Sequence, residues 1–267
     1  MDTSRLVFGT AGLTALPSYS RAIRLLEEAE SCGISHFDTA PTYGRGYAEW
    51  ILGRHLARAR RDVLVTTKFG LCQNRRSPLS PRLALPLNRI RQFFTWSTLP
   101  RRGTPAPSLA HRRITMEEVS GSLTASLRAL GKNSVHLYLL HEGLPSFLDP
   151  RALDFLLSKR KEGVIELLGV GTNSAVLRES AAEDFAPFDV LQYEAGSDFE
   201  IIRSRFQGMV HYLHGCFRRL LYSAPAFCNL DSPLRRWLEL NKEGKVIFFS
   251  SRKSKIRENV GDFLVSR

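Results

Sequence analysis

Val63-Leu64-Val65-Thr66-Thr67-Lys68 is a short run of apolar and β-branched residues that ends in a lysine. Such a run is typical of a buried strand in a parallel sheet. Two comparable runs end in Asp38 and His141, and Tyr43 lies five residues after Asp38. In (β/α)8 barrels, reactive groups collect at the carboxyl ends of the strands. We therefore expect a carboxylate, a phenol, an amine and an imidazole to meet at one end of a barrel and form a proton-donating site.

The rest of the chain alternates strand-like runs with segments of helical periodicity, which predicts a parallel sheet built of βα units. Eight strands are predicted, at residues 5–9, 35–38, 63–68, 135–141, 167–173, 189–194, 209–213 and 246–250. Thr115 followed by Glu118 is a capping-box pattern that predicts a helix start, and Gly131 predicts the end of that helix. The prediction is an α/β fold, with residues 1–267 forming a single (β/α)8 TIM barrel domain.

Arginines concentrate in one long segment after the third strand. Residues 73–113 hold nine arginines and no Asp, Glu or Lys, in a chain whose net charge is +12. We predict that residues 71–113 form an Arg/Pro-rich inserted loop that covers the substrate as a lid. Phe93, Phe94 and Trp96 would line an apolar pocket there, and the arginines would meet an anionic substrate. Single-strand nucleic-acid binders also interleave aromatics with cations, but no defined binding module accompanies this pattern, so we do not expect nucleic acid as a partner.

The composition gives no sign of a membrane or metal partner. No apolar stretch approaches the ~20 residues of a membrane span, and the first residues lack the features of a signal peptide. The four cysteines form no metal-ligand pattern. We expect a cytoplasmic protein with reduced thiols and without a bound metal.

Short motifs follow one another along the chain: Gly33-Ile34-Ser35-His36-Phe37-Asp38-Thr39-Ala40, Tyr43-Gly44, Ala48-Glu49-Trp50-Ile51-Leu52-Gly53, Thr67-Lys68-Phe69-Gly70, Leu139-Leu140-His141, Gly169-Val170-Gly171-Thr172-Asn173, Val190-Leu191-Gln192-Tyr193 and Ser250-Ser251-Arg252-Lys253. In this order they resemble the aldo-keto reductase family over nearly the whole chain. The resemblance implies a barrel that binds NADPH in an extended form without a Rossmann domain, and no G-x-G-x-x-G motif occurs here. The insert resembles that of bacterial and plant members acting on sugar lactols or small aldehydes.

The resemblance also implies a catalytic role for each of the four polar residues. Tyr43 would be the general acid, and Lys68 the cation that lowers its pKa from the ordinary value of about 10. Asp38 would fix Lys68 in position, and His141 would orient the substrate oxygen. Taken singly, these residues also fit a structural ion pair, a turn aromatic and a core histidine. Their joint placement at successive strand ends favours the catalytic interpretation.

The predicted cofactor is NADP(H), held by residues at or after the ends of strands five to eight. Thr172, Asn173 and Gln192 would hydrogen-bond the nicotinamide carboxamide. His211, or alternatively Tyr212, would stack on the nicotinamide ring. The phosphates and adenine would meet Ser250, Ser251, Arg252, Lys255 and Asn259. No acidic residue lies between Ser250 and Arg257 to hold a free ribose hydroxyl, which favours NADP over NAD.

The resulting hypothesis is an NADPH-dependent oxidoreductase that interconverts a carbonyl, in an aldehyde, ketone or sugar lactol, with an alcohol. The alternative is a barrel that binds NADPH and serves as a sensor or regulatory subunit with little turnover. The sequence leaves the substrate, the direction of reaction and the oligomeric state open.

Overall fold

The computed structural model of the chain describes residues 3–59, 61–71, 113–217 and 233–264. Nearly all of the predicted insert at 71–113, including Phe93, Phe94 and Trp96, lies outside the described residues, so its role as a lid stays a prediction. Among the described helices, none has the length and apolar character needed to cross a membrane.

Eight strands, all parallel to their neighbours, close into a barrel in sequence order. They are β1 (Leu6–Gly9), β2 (His36–Asp38), β3 (Leu64–Phe69), β4 (Val135–His141), β5 (Ile165–Gly171), β6 (Val190–Glu194), β7 (Val210–His214) and β8 (Lys245–Phe248). β8 closes the barrel by pairing with β1, where Ile247 lies opposite Val7. The predicted (β/α)8 barrel is confirmed.

Helices connect successive strands and cover the outside of the barrel. Those in the described residues are α1 (Tyr19–Ser31), α2 (Tyr47–Leu56), α3 (Met116–Leu130), α4 (Pro150–Lys161), α5 (Ser174–Glu179), α6 (Phe199–Arg205), α7 (Pro233–Leu240) and α8 (Lys253–Leu264). The predicted capping box of α3 is confirmed: the Thr115 side chain accepts from the Glu118 backbone, and Glu118 accepts from the Thr115 backbone. Gly131 ends α3 in the left-handed conformation, with φ 64°.

Side chains on the strands alternate between two cores, as the two-residue period of a strand requires. Leu137 and Leu139 point into the barrel, where they pack with Val7 and Ile247. Tyr138, which lies between them on β4, points outward into the larger core beneath the helices. This alternation decides which residue near each strand end faces the mouth of the barrel.

Four strand ends differ from the predicted boundaries: β7 ends one residue later than predicted, at His214, and β8 ends two residues earlier, at Phe248. β3 continues one residue past Lys68, to Phe69. β5 ends at Gly171, two residues before Asn173, because the Asn173 side chain accepts a hydrogen bond from the Val176 backbone and begins α5.

Helix α2 packs closely on α3 at Gly53, and substitution of this glycine tests how close the contact is. A Cβ atom at Gly53 would meet the Ala129 carbonyl oxygen at 2.2 Å and Leu130 Cα at 2.9 Å. We expect Gly53→Ala to lower the free energy of unfolding by about 1–3 kcal/mol through overpacking, measured by urea denaturation. The matched control is Gly121→Ala: Gly121 is exposed on α3, and a methyl group there would have nothing within 4 Å, so this change should stabilise by about 0.5–1 kcal/mol. Equal effects of the two substitutions would contradict the packing.

Candidate active site

A buried ion pair lies at the carboxyl ends of β2 and β3. Lys68 Nζ donates to both carboxylate oxygens of Asp38, at 2.7 and 2.8 Å. Both side chains are buried, with 1% of Lys68 and 4% of Asp38 exposed. Because little of either charge reaches bulk water, their mutual attraction is weakly screened.

Lys68 also connects its ion pair with Asp38 to the hydroxyl group of Tyr43. Its Nζ donates to the Thr39 carbonyl oxygen at 2.9 Å and to the Tyr43 hydroxyl oxygen at 3.1 Å. Tyr43 begins the short 3-10 helix Tyr43–Gly46 that precedes α2. An ammonium has three donors and no acceptor, so one N–H is shared by the two Asp38 oxygens and the other two go to Thr39 and Tyr43. The hydroxyl oxygen of Tyr43 is therefore an acceptor, and its own proton is left for another group.

His141 completes the set at the end of β4. Its ring meets that of Tyr43 edge to face, with centroids 5.9 Å apart. Burial, with smaller effects from the charges of Lys68 and His214, lowers the pKa of His141 to about 3. The imidazole is therefore neutral near pH 7 and has one N–H donor and one acceptor nitrogen. The structure thus brings together all four residues predicted for the proton-donating site.

The pKa of Tyr43 does not move in the expected direction. Burial raises it, and although the Lys68 ammonium acts to lower it, the pKa stays above the ordinary value. The charges of Asp38 and Glu142 add to the rise. For Lys68, burial acts to lower the pKa, but the Asp38 carboxylate and the Tyr43 oxygen outweigh it and the net shift is upward. At neutral pH the site therefore holds an ammonium beside a protonated phenol.

Of the residues predicted to bind the carboxamide, Gln192 is tied to the ion pair. Its Nε2 donates to Asp38 Oδ2 at 2.8 Å. Thr172 follows β5, and its backbone N–H donates to the Gln192 carbonyl oxygen at 3.0 Å. Asn173 is next in the chain and caps α5 through its Oδ1. The three residues thus lie near one another at the carboxyl ends of the paired strands β5 and β6.

These side chains fit an amide ligand in their donor and acceptor types. Within the part of the chain that the structure describes, Asn173 Nδ2 and Gln192 Oε1 make no hydrogen bond to protein. One is a donor and the other an acceptor, which is the pairing that a carboxamide requires. Gly171 leaves room beside them, because a Cβ there would lie 3.5 Å from Gln192 Oε1 and 2.5 Å from Leu139 Cδ2.

His211 is not brought to the mouth. It faces outward from β7, and its Nδ1 lies 2.9 Å from the Tyr193 hydroxyl, beneath α6 and α7. Tyr212 faces the barrel interior, with its ring 5.8 Å from that of His36 at the start of β2. Alternation instead turns His214, the last residue of β7, toward the mouth, where it is near enough to His141 to influence the pKa of that residue. The predicted strand stopped at Leu213, although Gly215 marks the strand end in the sequence.

The predicted phosphate-binding residues lie together between β8 and the first turns of α8. Ser250 Oγ accepts from the Arg252 backbone at 3.3 Å, and Ser251 and Arg252 are exposed. Lys255 pairs with Glu258 on α8, and Asn259 is half-buried on the same helix. Glu28 of α1 pairs with Lys253 and Arg257 nearby. Across the described ranges, no group of three or more His, Cys, Asp or Glu residues is placed to hold a metal ion.

Solved structures with a similar fold are numerous. An aldo-keto reductase from Bacillus halodurans, in its holo form, superposes with a TM-score of 0.65 at 18% identity, over 98% of this chain and 87% of its own. A glycerol dehydrogenase from Gluconobacter oxydans gives a TM-score of 0.66 at 16% identity, over 97% of this chain and 86% of its own. At these identities the likeness concerns the fold.

Two curated relatives have higher sequence identity to this chain than the solved structures do, but only over part of their length. The NADH-specific methylglyoxal reductase of Escherichia coli (strain K12) is 27% identical over 184 residues, 64% of this chain and 49% of the relative. The D-threo-aldose 1-dehydrogenase of a Pseudomonas species is 30% identical over 159 residues, 58% of this chain and 45% of the relative. The matched region thus spans about half the length of these relatives.

A family model matches a larger part of the chain than these two relatives do. The model described as the Aldo/keto reductase family matches residues 5–197. That range includes Asp38, Tyr43, Lys68, His141 and Gln192, and it ends before β7, β8 and α8. Because the match covers well over half of the sequence, this chain belongs to the aldo/keto reductase family.

Proposed function

We propose that this chain is an oxidoreductase that interconverts a carbonyl and an alcohol with NADP(H), and that Tyr43 is its proton donor. The observation that carries the proposal is the 3.1 Å contact in which Lys68 Nζ donates to the Tyr43 oxygen. This contact occupies the acceptor side of the phenol and leaves its proton for a substrate oxygen. Bound nicotinamide would supply the hydride that such a reduction needs.

Each of the four polar residues would have a separate role in the reaction. Tyr43 delivers a proton to the oxygen that becomes the alcohol, and the buried Lys68 ammonium stabilises the phenolate that this transfer leaves behind. Asp38 keeps Lys68 charged and in place. His141, neutral because burial lowers its pKa to about 3, donates an N–H to the same oxygen and orients it.

The cofactor part of the proposal assigns the parts of NADP(H) to polar residues at the barrel mouth and at the start of α8. Asn173 and Gln192 would hold the carboxamide, and His214 would take the place beside the nicotinamide that was predicted for His211. Ser250, Ser251 and the start of α8 would hold phosphate. The exposed Arg252 favours a 2′-phosphate, whereas Lys255 already has Glu258 as a partner. The relative from Escherichia coli is NADH-specific, so the preference for NADP must be measured against NADH.

The substrate part of the proposal rests on the relatives. Their names describe a methylglyoxal reductase and a D-threo-aldose 1-dehydrogenase, which suggests small aldehydes and sugar lactols as the substrate class. A single domain, a lid formed by residues 71–113 and a cytoplasmic location stay predictions. Turnover of such substrates distinguishes the enzyme from the alternative, a regulatory barrel that binds NADPH without consuming it.

Tyr43→Phe tests the proton donor. Removing the hydroxyl removes the acid but leaves the ring and the cofactor residues, so kcat should fall by about 10²–10⁴-fold, while the Kd for NADPH, from fluorescence quenching, should stay close to that of the unaltered chain. Tyr19→Phe is the matched control, since Tyr19 packs on Trp50 in the helical layer, and it should retain activity. Full turnover by Tyr43→Phe on methylglyoxal and glyceraldehyde would refute the assignment.

The pH dependence tests the protonation states. The pKa of His141 is about 3 and that of Tyr43 lies above its ordinary value, so neither group titrates between about pH 5.5 and 9. Aldehyde reduction, which needs the protonated phenol, should be flat over this range and fall only at higher pH. Alcohol oxidation, which needs the phenolate as base, should rise with pH by up to about tenfold per unit. A reduction profile that bends with a pKa near about 6.5, the ordinary value for histidine, would contradict a neutral His141.

Arg252→Ala tests the preference for NADP. If the guanidinium binds the 2′-phosphate, its removal should raise the Kd for NADPH by about tenfold or more and leave the Kd for NADH nearly unchanged. Arg58→Ala is the control, because Arg58 is exposed beyond the end of α2, away from the strand carboxyl ends. Equal weakening of both nucleotides by Arg252→Ala, or tighter binding of NADH to the unaltered chain, would argue for NAD instead.

A further inference from the structure

Gln192 makes a contact that cofactor binding does not require. Its side chain points into the barrel from β6, 5% exposed, and its Nε2 donates to Asp38 Oδ2 at 2.8 Å. Resting on the function proposed above, we infer that Gln192 is a positioning residue: it fixes the Asp38 carboxylate and, through it, the Lys68 ammonium against Tyr43.

The hydrogen bonds form a directed chain. Gln192 donates to Asp38, Asp38 accepts from Lys68, and Lys68 donates to the Tyr43 oxygen. Oδ2 thus accepts from two donors, the Gln192 amide and the Lys68 ammonium. Without the amide, Lys68 would be the remaining hydrogen-bond partner of the carboxylate among the described residues. The carboxylate would then rotate more freely about its Cβ–Cγ bond, and the direction of the Lys68 N–H toward Tyr43 would be less fixed. A neutral donor suits this place, because it satisfies Oδ2 without competing with Lys68 for the carboxylate charge.

Backbone pairing fixes the position of Gln192, whose side-chain amide is the first donor in this series of hydrogen bonds. Gln192 pairs in register with Gly171 of β5, and the Thr172 backbone donates to the Gln192 carbonyl oxygen at 3.0 Å. Gly171 places no side chain against the amide. The Nε2 end of the amide therefore faces Asp38, while Oε1 makes no hydrogen bond to protein within the described residues. The group that would contact a carboxamide is the same group that holds the proton-donating site, so cofactor binding and proton transfer share one side chain.

The test compares Gln192→Glu with Gln192→Met and with Gln207→Glu, the same chemical change at an exposed glutamine between α6 and β7. In Gln192→Glu a second carboxyl group faces Asp38, and the like charge raises the folded-state pKa of the introduced group. When protonated, the introduced carboxyl group donates to Asp38 as the amide does. When ionised, it repels Asp38, so stability is lost as pH rises through the raised pKa.

The first readout is thermal stability between about pH 5 and 8, which needs neither cofactor nor turnover. We expect the Tm deficit of Gln192→Glu to grow steadily as pH rises, that of Gln192→Met to stay constant, and Gln207→Glu to match the unaltered chain. A deficit of Gln192→Glu that is independent of pH would overturn the inference. If Gln192→Glu does not fold at any pH, Gln192→Met alone decides through the kinetic readout.

The second readout separates positioning from cofactor binding. We expect Gln192→Met to lower kcat by about tenfold with a smaller change in the Kd for NADPH, and Gln192→Glu to regain kcat as pH falls over the same range while Gln192→Met does not. Weaker NADPH binding with unchanged kcat in both variants would overturn the inference. If the unaltered chain turns over no carbonyl substrate, the proposed function fails, and the Tm series still decides whether Gln192 holds Asp38.

Discussion

The candidate site depends on a lysine ammonium that is buried with a single carboxylate. Removing both charges from water costs several kcal/mol per ion, and the geometry must compensate for it. Lys68 has all three donors filled by Asp38, Thr39 and Tyr43. Asp38 receives a further donor from Gln192. A pair satisfied to this degree has few alternative arrangements, which explains how a flexible lysine side chain holds a fixed direction toward a phenol.

The same burial limits what Lys68 does to Tyr43. An ammonium beside a phenol favours the phenolate, but the phenol is itself removed from water, and in the structure burial is the larger effect. Lys68 thus does not keep Tyr43 deprotonated in advance. It lowers the free-energy cost of forming the Tyr43 phenolate when the proton leaves. In the proposed reaction, protonated Tyr43 is the form that a reduction would consume, so a raised pKa would suit a proton donor in that direction and would make the reverse reaction dependent on alkaline pH.

The sequence predicted the strands and helix ends of this arrangement better than the directions and contacts of individual side chains. Strand ends are visible in sequence because a polar residue such as Lys68 or His141 terminates an apolar run, and the capping box at Thr115 is a local pattern. The direction of a side chain near a strand end is harder to predict, since a shift of one residue in the strand moves it to the other face. His211 was predicted from the spacing of the family resemblance and faces away from the mouth, whereas His214, one residue past the predicted strand end, faces it. The contact of Gln192 with Asp38 joins residues 154 positions apart, and no local pattern encodes it.

The barrel interior explains why this chemistry is confined to one end. Polar residues also face inward at the amino-terminal end, where His36 Nε2 meets Thr66 Oγ1 at 2.8 Å and its Nδ1 lies 3.1 Å from Lys245 Nζ. Because the Lys245 ammonium only donates, His36 Nδ1 must accept and Nε2 must carry the proton. Burial holds the pKa of His36 well below its ordinary value. Between this group and the mouth lies an apolar layer that includes Leu137 and Leu139. It gives Lys68 and Asp38 a medium of low polarity on one side, so solvent screens the interaction of the ammonium with Asp38 and with the Tyr43 hydroxyl only weakly.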